Sequence, residues 1–428
     1  MACFRLFLPG TLLGLLLAGH GAMASAPTAW VGGAVWLGKE QGYLEDAVLL
    51  VGDGRVVDVF SRGERPLPED ATVHDVSGQY IVPGLINAHG HVGMARGLET
   101  GPEIHSRDNV IEQLQLYAAY GITTVVSLGD EPPEAFAVRD GMDPADSSMA
   151  RLFVAGTVPN PVDAEAAREA VRELRATDPD WLKIRVDDQL GQAEAMPREA
   201  YSAFIDEAHG HGDAVATHMV TLEHAKGLLE EGADLIAHSV RDAPVDDELI
   251  RLMLERDVCI TPTLTREVST FIYAERPDFF DDPFFLRHAD PDVLEQLQEP
   301  EVQARFTGDA ADYYRAALPL AMSNMLALHA AGVRIAMGTD SGPPARFQGY
   351  FEHMEMAMMQ EAGMSPADIL ESATRHAADC LGVGKELGTL EPGKWADFIL
   401  LSEDPSENIR ALRTLKTVVL AGRDAAPQ

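Results

Sequence analysis

The sequence predicts an α/β protein, a (β/α)8 TIM barrel with a small composite β domain contributed by both chain ends. Three observations predict it. Strand-like and helix-like segments alternate through the middle of the 428 residues, giving roughly eight strand–helix units. Short apolar strands and tight turns, without helices, occupy both flanks. Histidine, lysine and aspartate recur where the middle strands end. No Gly-x-Gly-x-x-Gly loop follows the first of these strands, which argues against an open doubly wound sheet.

Taken in order, residues 1–24 read as a cleaved secretory signal. Arg5 precedes an apolar run from Leu6 to Ala18, and Ala22-Met23-Ala24 has the small-x-small form of a cleavage site. The run is too short for a membrane span, so the mature chain is expected in the periplasm or medium. Residues 25–80 and 388–428 make up the expected composite domain. There Ala47–Val51 and Arg55–Phe60 flank Gly52-Asp53-Gly54 as a hairpin, and Ala396–Leu401 and Leu415–Leu420 supply strands from the other end.

Residues 81–387 are assigned to the barrel. The strand Ile81–Ala88 leads to a helix from Asn109 to Tyr120, whose apolar positions Val110, Leu114, Tyr117 and Ala118 have helical spacing. Further strands are expected at Ile122–Ser127, Leu152–Ala155, Trp181–Val186, Ala214–Val220, Leu235–Val240, Val258–Leu264 and Val333–Gly338. Helices such as Ala164 to Ala176 and Arg198 to His209 lie between them. An insertion rich in Pro, Asp, Phe and Glu, from Thr265 to Asp312, interrupts the rhythm after the seventh strand. It reads as a lid or specificity element, with inert surface helices as the alternative. Ser365 and Pro366 open a packing helix as N-cap and first residue.

Composition narrows the function. The chain has 68 acidic and 33 basic residues, a formal net charge of −35. Nucleic acid and anionic membrane surfaces would be repelled, and so acidic a surface suits solubility at high salt. Cys3 leaves with the signal, so Cys259 and Cys380 remain. Because Cys259 lies in an apolar strand, two buried free thiols are expected rather than one bridge.

The chemistry starts at Val82-Pro-Gly-Leu-Ile-Asn-Ala-His-Gly-His91. On a strand, residues i and i+2 share a face, so His89 and His91 can approach one point. Gly90 between them leaves room for a metal near the backbone. Lys183 sits mid-strand between Leu182 and Ile184, where a charged amine is costly unless paired or neutralised. The fifth strand ends in His218, the sixth in His238, and the eighth in Asp340. Any one of these could be an ordinary hydrogen-bonded residue, but all six on the same ends of barrel strands point to a metal site.

These residues resemble the amidohydrolase superfamily, in its imidazolonepropionase-like and prolidase-like branch of binuclear metallohydrolases. The resemblance runs from about Ala47 to Arg423, carried by Ile81–His91, by Gly338-Thr-Asp-Ser341 and by Gly388-Thr-Leu-Glu-Pro-Gly-Lys-Trp-Ala-Asp397. It implies two divalent ions, usually zinc. His89, His91 and Asp340 would hold the more buried ion and His218 and His238 the more exposed one, with carboxylated Lys183 bridging them. Neutral imidazole and carboxylate oxygen both suit zinc. With a bridging hydroxide the centre would carry about +1, enough to polarise a carbonyl and acidify water. Asp340 would act as general base and His238 or a neighbour would steady an oxyanion. The substrate implied is an N-acyl amino acid or a dipeptide of the prolidase-like kind.

The alternatives are a mononuclear deaminase, a lactonase or phosphotriesterase, and a non-catalytic binding protein on the same barrel. Arg185 shares the face of Lys183 and could take a substrate carboxylate, although an ion pair with Asp187 or a neighbouring acid is the simpler expectation. Asp130, His105 and His353 are further candidates for the mouth, His353 by default a helix-surface residue. The methionines between Met354 and Met359 read as helix packing. Oligomeric state does not follow from the residues.

Overall fold

Short strands buried along their whole length mark the centre of the fold. Leu85–Gly90, Ile122–Ser127 and Val215–His218 expose no residue, as parallel strands covered by helices on their outer face require. The computed structural model describes residues 26–145 and 148–425, so the expected signal segment lies outside the described residues. Arg151–Val154, Ile122–Ser127 and Leu85–Gly90 pair in parallel as a three-stranded sheet. Leu182–Arg185, Val215–His218, Leu235–Ala237 and Cys259–Thr261 pair in parallel as a four-stranded sheet.

The segment expected as an eighth strand forms no ladder. It makes one parallel bridge, Ile335 to Ile260, and Ser341 just beyond it bridges to Gly90, so the segment touches both sheets. The interruption has a local cause: the Met337 N–H donates to the Ser372 carbonyl at 3.0 Å rather than to a strand. Between Arg151–Val154 and Leu182–Arg185 there is likewise no ladder: the N–H groups of Asp180 and Trp181 donate to the Val154 carbonyl, and Val154 N–H donates to Asp180 Oδ2.

The sixth and seventh strands are shorter than their apolar runs predict. They stop at Ala237 and Thr261 because His238 and Thr263 adopt left-handed backbone, with φ of 77° and 53°. A residue in that region turns the chain out of the ladder. The helices between strands are capped as their sequences suggest. Ser106 Oγ accepts from Asn109 N–H at the start of Arg107–Ala119, Asp163 caps Ala164–Arg175, and Thr221 caps Leu222–Glu231, which ends at left-handed Gly232.

Strands from both ends of the described chain meet in one eight-stranded, mostly antiparallel sheet. Its order is Arg423–Asp424, Leu415–Leu420, Phe398–Leu401, Tyr80–Pro83, Thr28–Trp36, Tyr43–Gly52 and Arg55–Ser61, with Thr72–Asp75 also against Thr28–Trp36. A buried fork-to-fork pair, Arg151 Nε and Nη2 with Asp397 at 2.6 and 3.1 Å, fastens this sheet to the parallel strands.

The Thr265–Asp312 insertion is a chain of short helical turns. Asp282 and Asp290 cap the turns Pro283–Leu286 and Pro291–Gln296, each with proline at its first position. Its aromatic residues have their own buried core, in which Tyr273, Phe280, Phe284 and Phe285 pack with Tyr120, Tyr350 and Phe351. The Tyr273 hydroxyl donates to the Ala345 carbonyl at 2.6 Å. The insertion is therefore anchored to the rest of the chain through this aromatic core. The helix that follows runs Asp309–Ala330, so the insertion ends inside its first turn.

Cys259 and Cys380 form a disulfide, not the free thiols expected. Cys259 opens the strand Cys259–Thr261 and Cys380 ends the helix Arg375–Cys380, which brings their Cα atoms to 5.9 Å, within bridging range. Apolar surroundings did not discriminate, because a disulfide buries as readily as a thiol. No helix among the described residues is long and apolar enough to cross a membrane.

The bridge closes a loop of 121 residues in sequence, so losing it should loosen the unfolded chain considerably. The double variant Cys259→Ser/Cys380→Ser is expected to lose about 2–4 kcal/mol in urea denaturation, and wild type under reductant should match it. A variant as stable as oxidised wild type would contradict the bridge.

Candidate metal centre

Six side chains from five segments converge on one cavity of about 340 Å³: His89, His91, Lys183, His218, His238 and Asp340. All are buried. Of the six, His89, His91 and Asp340 bring ligand-type atoms within 4.8 Å of one another. His91 Nε2 lies 2.7 Å from Asp340 Oδ1, and His89 Nε2 lies 3.6 Å from it. His218 and His238 form a second group against the first, with ring centroids 4.3 Å apart and His238 4.7 Å from His89.

The outer nitrogens of three imidazoles are already held. His91 Nδ1 faces the Gly129 carbonyl at 2.9 Å, His238 Nδ1 faces Thr263 Oγ1 at 2.7 Å, and His218 Nε2 faces Asp187 Oδ2 at 3.0 Å. Such partners fix ring orientation and direct the opposite nitrogen inward, as second-layer contacts do around metals. Within these six side chains two buried polar atoms have no partner: His89 Nδ1 and Lys183 Nζ. An amine with three donors and no acceptor is the most anomalous group in the cavity.

Electrostatics explain the state of these groups. Burial, reinforced by Arg185, pushes the Lys183 amine down to about 7, although Asp340 opposes it. Burial above all keeps His89, His218 and His238 neutral, and His218 falls to about 3 although its bond to Asp187 opposes the shift. Neutral imidazoles keep their lone pairs for a cation. Burial disfavours the charge of Asp340, but the Arg346 guanidinium and His91 outweigh it and hold the carboxyl well below its usual range. Arg346 Nη1 donates to Asp340 Oδ2 at 2.6 Å while its Nε donates to Ser269 Oγ at 3.0 Å.

Backbone strain collects at the same place. Asp130, Gln189, Leu190, His238, Thr263 and Asp340 are non-glycine residues with positive φ, all at or beside the cavity. For a β-branched threonine this region is a genuine outlier, and left-handed backbone costs roughly 1–2 kcal/mol per residue. Concentrated strain marks sites whose geometry serves a function.

Two fully buried carboxyls on the helix Tyr350–Ala362 hold the strand ends in place. Glu352 Oε1 accepts from Asn87 Nδ2, Thr339 Oγ1 and Ser341 Oγ, and Asn87 Oδ1 accepts from His89 N–H. Glu355 accepts from the N–H groups of Leu264 and Thr265, next to Thr263, and burial pushes it up to about 7. The sequence reading missed both, along with Arg346, Thr263 and Arg266. A buried-type helix carrying Glu352 and Glu355 was a visible signal. Arg346 carried none beyond its closeness to Asp340.

Other expectations need correction. The missing side chain of Gly90 makes room on the far side of the strand, where a Cβ would lie 2.8 Å from the Tyr117 hydroxyl and 2.9 Å from Asn87 Nδ2. Residue i+1 of a strand faces away from residues i and i+2, so this glycine serves packing and not a metal. The close approach beside His89 belongs to Gly338, whose added Cβ would meet His89 N at 2.9 Å. Asp187 is engaged by His218 and by Gln189 N–H, so the Arg185–Asp187 pair does not form. Asp130 lines the cavity and caps Val158 N–H. His105 does not line the cavity. His353 is buried, with Nε2 on the Tyr120 carbonyl and its ring against Phe284. Met356, Met358 and Met359 pack in the core.

Comparison with known proteins gives a consistent set of likenesses. Residues 80–424 match the model of the amidohydrolase family. An imidazolonepropionase of Rhizorhabdus wittichii is 24% identical over 390 residues, covering 87% of this chain and 92% of its own. An uncharacterized protein of Mycobacterium tuberculosis is 26% identical, covering 89% and 92%. A Bifidobacterium longum protein provisionally named a prolidase superposes with a TM-score of 0.74 at 26% identity, covering 94% and 95% of the two chains. A Xaa-Pro dipeptidase with methionine bound in its active site gives 0.75 at 22% identity, covering 93% and 99%, a likeness of fold.

The anomaly at Lys183 has a measurable consequence. In metal-stripped protein free of carbon dioxide, its amine is protonated only below about 7, against 10.5 for an ordinary lysine. Between those values the unfolded chain binds one more proton than the folded one. Stability should therefore rise with pH across that window, by about 1.4 kcal/mol per pH unit from this group. Urea denaturation of Lys183→Met should lack that increment and show higher stability at pH 6. Equal pH slopes in the two proteins would contradict the assignment.

Proposed function

The chain belongs to the amidohydrolase family, and from that premise we propose that it is an exported binuclear metal hydrolase that cleaves an amide C–N bond. The substrate is an N-acyl amino acid or a dipeptide, held on a closed (β/α)8 barrel beside the composite β domain. The observation that carries this reading is the Lys183 amine, buried and without a partner among neutral imidazoles. A neutral amine adds carbon dioxide through its nitrogen lone pair and releases one N–H proton to water. The product, an anionic carbamate with two oxygens, would satisfy the donors' surroundings and supply a bridge between His89-His91-Asp340 and His218-His238.

Two divalent ions bound there, zinc in this reading, would supply Lewis acidity toward the carbonyl and acidify a water molecule. The chain's own residues do the rest. His91, His218 and His238 are oriented by Gly129, Asp187 and Thr263. Asp340, anionic at working pH, accepts the proton of the attacking water. Arg346 on Oδ2 makes it a weaker base than a free carboxylate, so the proton rests there briefly and passes to the more basic leaving amine. His238 has one bond, to Thr263, and can serve either as ligand through Nε2 or as N–H donor, not both. Its place against His218 and His89 favours the ligand role, and the oxyanion then depends on other groups.

The disulfide supports an oxidising compartment, in line with the signal-like first residues. One observation favours a second reading: among the described residues His89, His91 and Asp340 alone bring ligand-type atoms within 4.8 Å of one another, a set sufficient for one ion, as in a mononuclear deaminase. Lys183→Ala separates the two readings. Under the binuclear reading, metal analysis should fall from two ions per chain, hydrolysis of a dipeptide and N-acyl amino acid panel should drop at least about 100-fold, and a short carboxylic acid should restore part of it. Unchanged metal content and turnover in Lys183→Ala would leave only the mononuclear reading.

A further inference from the structure

We infer that Arg185 is the anion anchor of this cavity, and that the substrate must carry a free carboxylate on the amine side of its scissile bond. The inference rests on the amide-hydrolase reading for the word scissile, but its geometry stands apart. Four lysine and arginine side chains line the cavity: Lys183, Arg185, Arg266 and Arg346. Arg346 is committed to Asp340 at 2.6 Å. Arg266 is committed to Glu267 at 3.1 Å and lies over the Tyr314 ring, 4.5 Å from its centroid. Lys183 is buried among the imidazoles. The Arg185 side chain makes no hydrogen bond or ion pair with the described residues, and the residue is exposed. In a chain with 68 acidic residues, an arginine left without a carboxylate inside a cavity is a position kept open.

Its placement suits that role. Arg185 ends the strand Leu182–Arg185 and pairs in register with His218 on the neighbouring strand, so their backbones run about 4.8 Å apart. It lies two residues beyond Lys183 on the same face, about 7 Å nearer the mouth. A carbonyl seated over the imidazole cluster would put a carboxylate, two bonds beyond the amide nitrogen, toward Arg185. Two aspartates that line the cavity with it do not compete, since Asp187 is held by His218 and Asp130 accepts from Val158 N–H. Beside it Leu190, exposed and with φ of 59°, together with Val158, offers an apolar surface for the amino-acid side chain. A guanidinium can grip a carboxylate through two parallel bonds. This would restrict the enzyme to C-terminal amide bonds and reject internal ones.

Matched probes test this: N-acetyl-L-leucine against N-acetyl-L-leucinamide, and glycyl-L-leucine against its C-terminal amide. Binding by calorimetry and steady-state hydrolysis are measured on metal-loaded wild type, Arg185→Met and Arg185→Lys. Wild type should bind the acids about 10- to 100-fold more tightly than the amides. Arg185→Met should erase the difference through KM with kcat largely kept, and Arg185→Lys should keep part of it. Acid-selective binding that depends on Arg185 without hydrolysis would overturn the amide-hydrolase reading and still support the anchor. Equal binding of acids and amides by wild type, selectivity that survives in Arg185→Met, or no binding of either form would overturn the anchor.

Discussion

A primary amine buried without an acceptor is the constraint on which the rest of this structure depends. Lys183 lies in a strand whose flanking residues are core apolar groups, and no carboxylate reaches its nitrogen. Left as an ammonium it would cost several kcal/mol of solvation. The fold answers by surrounding it with imidazoles that are themselves neutral, and with Asp340, whose charge is already matched by Arg346. Such a cluster has lone pairs and an electron-rich amine but little net charge of its own. It is stable as a cavity for something cationic and unfavourable as an empty polar core.

The strain at the strand ends follows from the same demand. Pointing six side chains at one small volume requires several strands to leave their ladders early, and His238, Thr263 and Asp340 do so through left-handed backbone. Those conformations persist because other groups hold them. Glu352 ties the ends carrying His89 and Asp340, Glu355 ties the loop carrying Thr263, and the insertion braces the turn at Ala345 and Arg346. The helix Tyr350–Ala362 and the insertion are thus supports of the site as much as parts of the core. This accounts for carboxyls buried where apolar residues would otherwise pack.

Much of this was legible in the residues because its signals are local. Period-two pairs placed His89 and His91 on one face, and an apolar run around Lys183 made the lysine conspicuous. What was not legible depends on contacts distant in sequence. Cys259 and Cys380 meet across 121 residues, and nothing in either neighbourhood announces the partner. Arg185 was expected to pair with Asp187, but His218 takes that aspartate from the next strand. Strand ends were overestimated because apolar composition persists past the point where the backbone turns. Gly90 was given a role facing the metal that alternation along a strand assigns to its neighbours.

The central claim is that Lys183 turns one cation site into two, and diffraction tests it most directly. Crystals grown with zinc and bicarbonate would be measured on both sides of the zinc absorption edge. The account predicts two anomalous peaks in the cavity, one against His89, His91 and Asp340 and one against His218 and His238. It also predicts electron density extending from Lys183 Nζ between them. A single peak with a bare lysine side chain would contradict it.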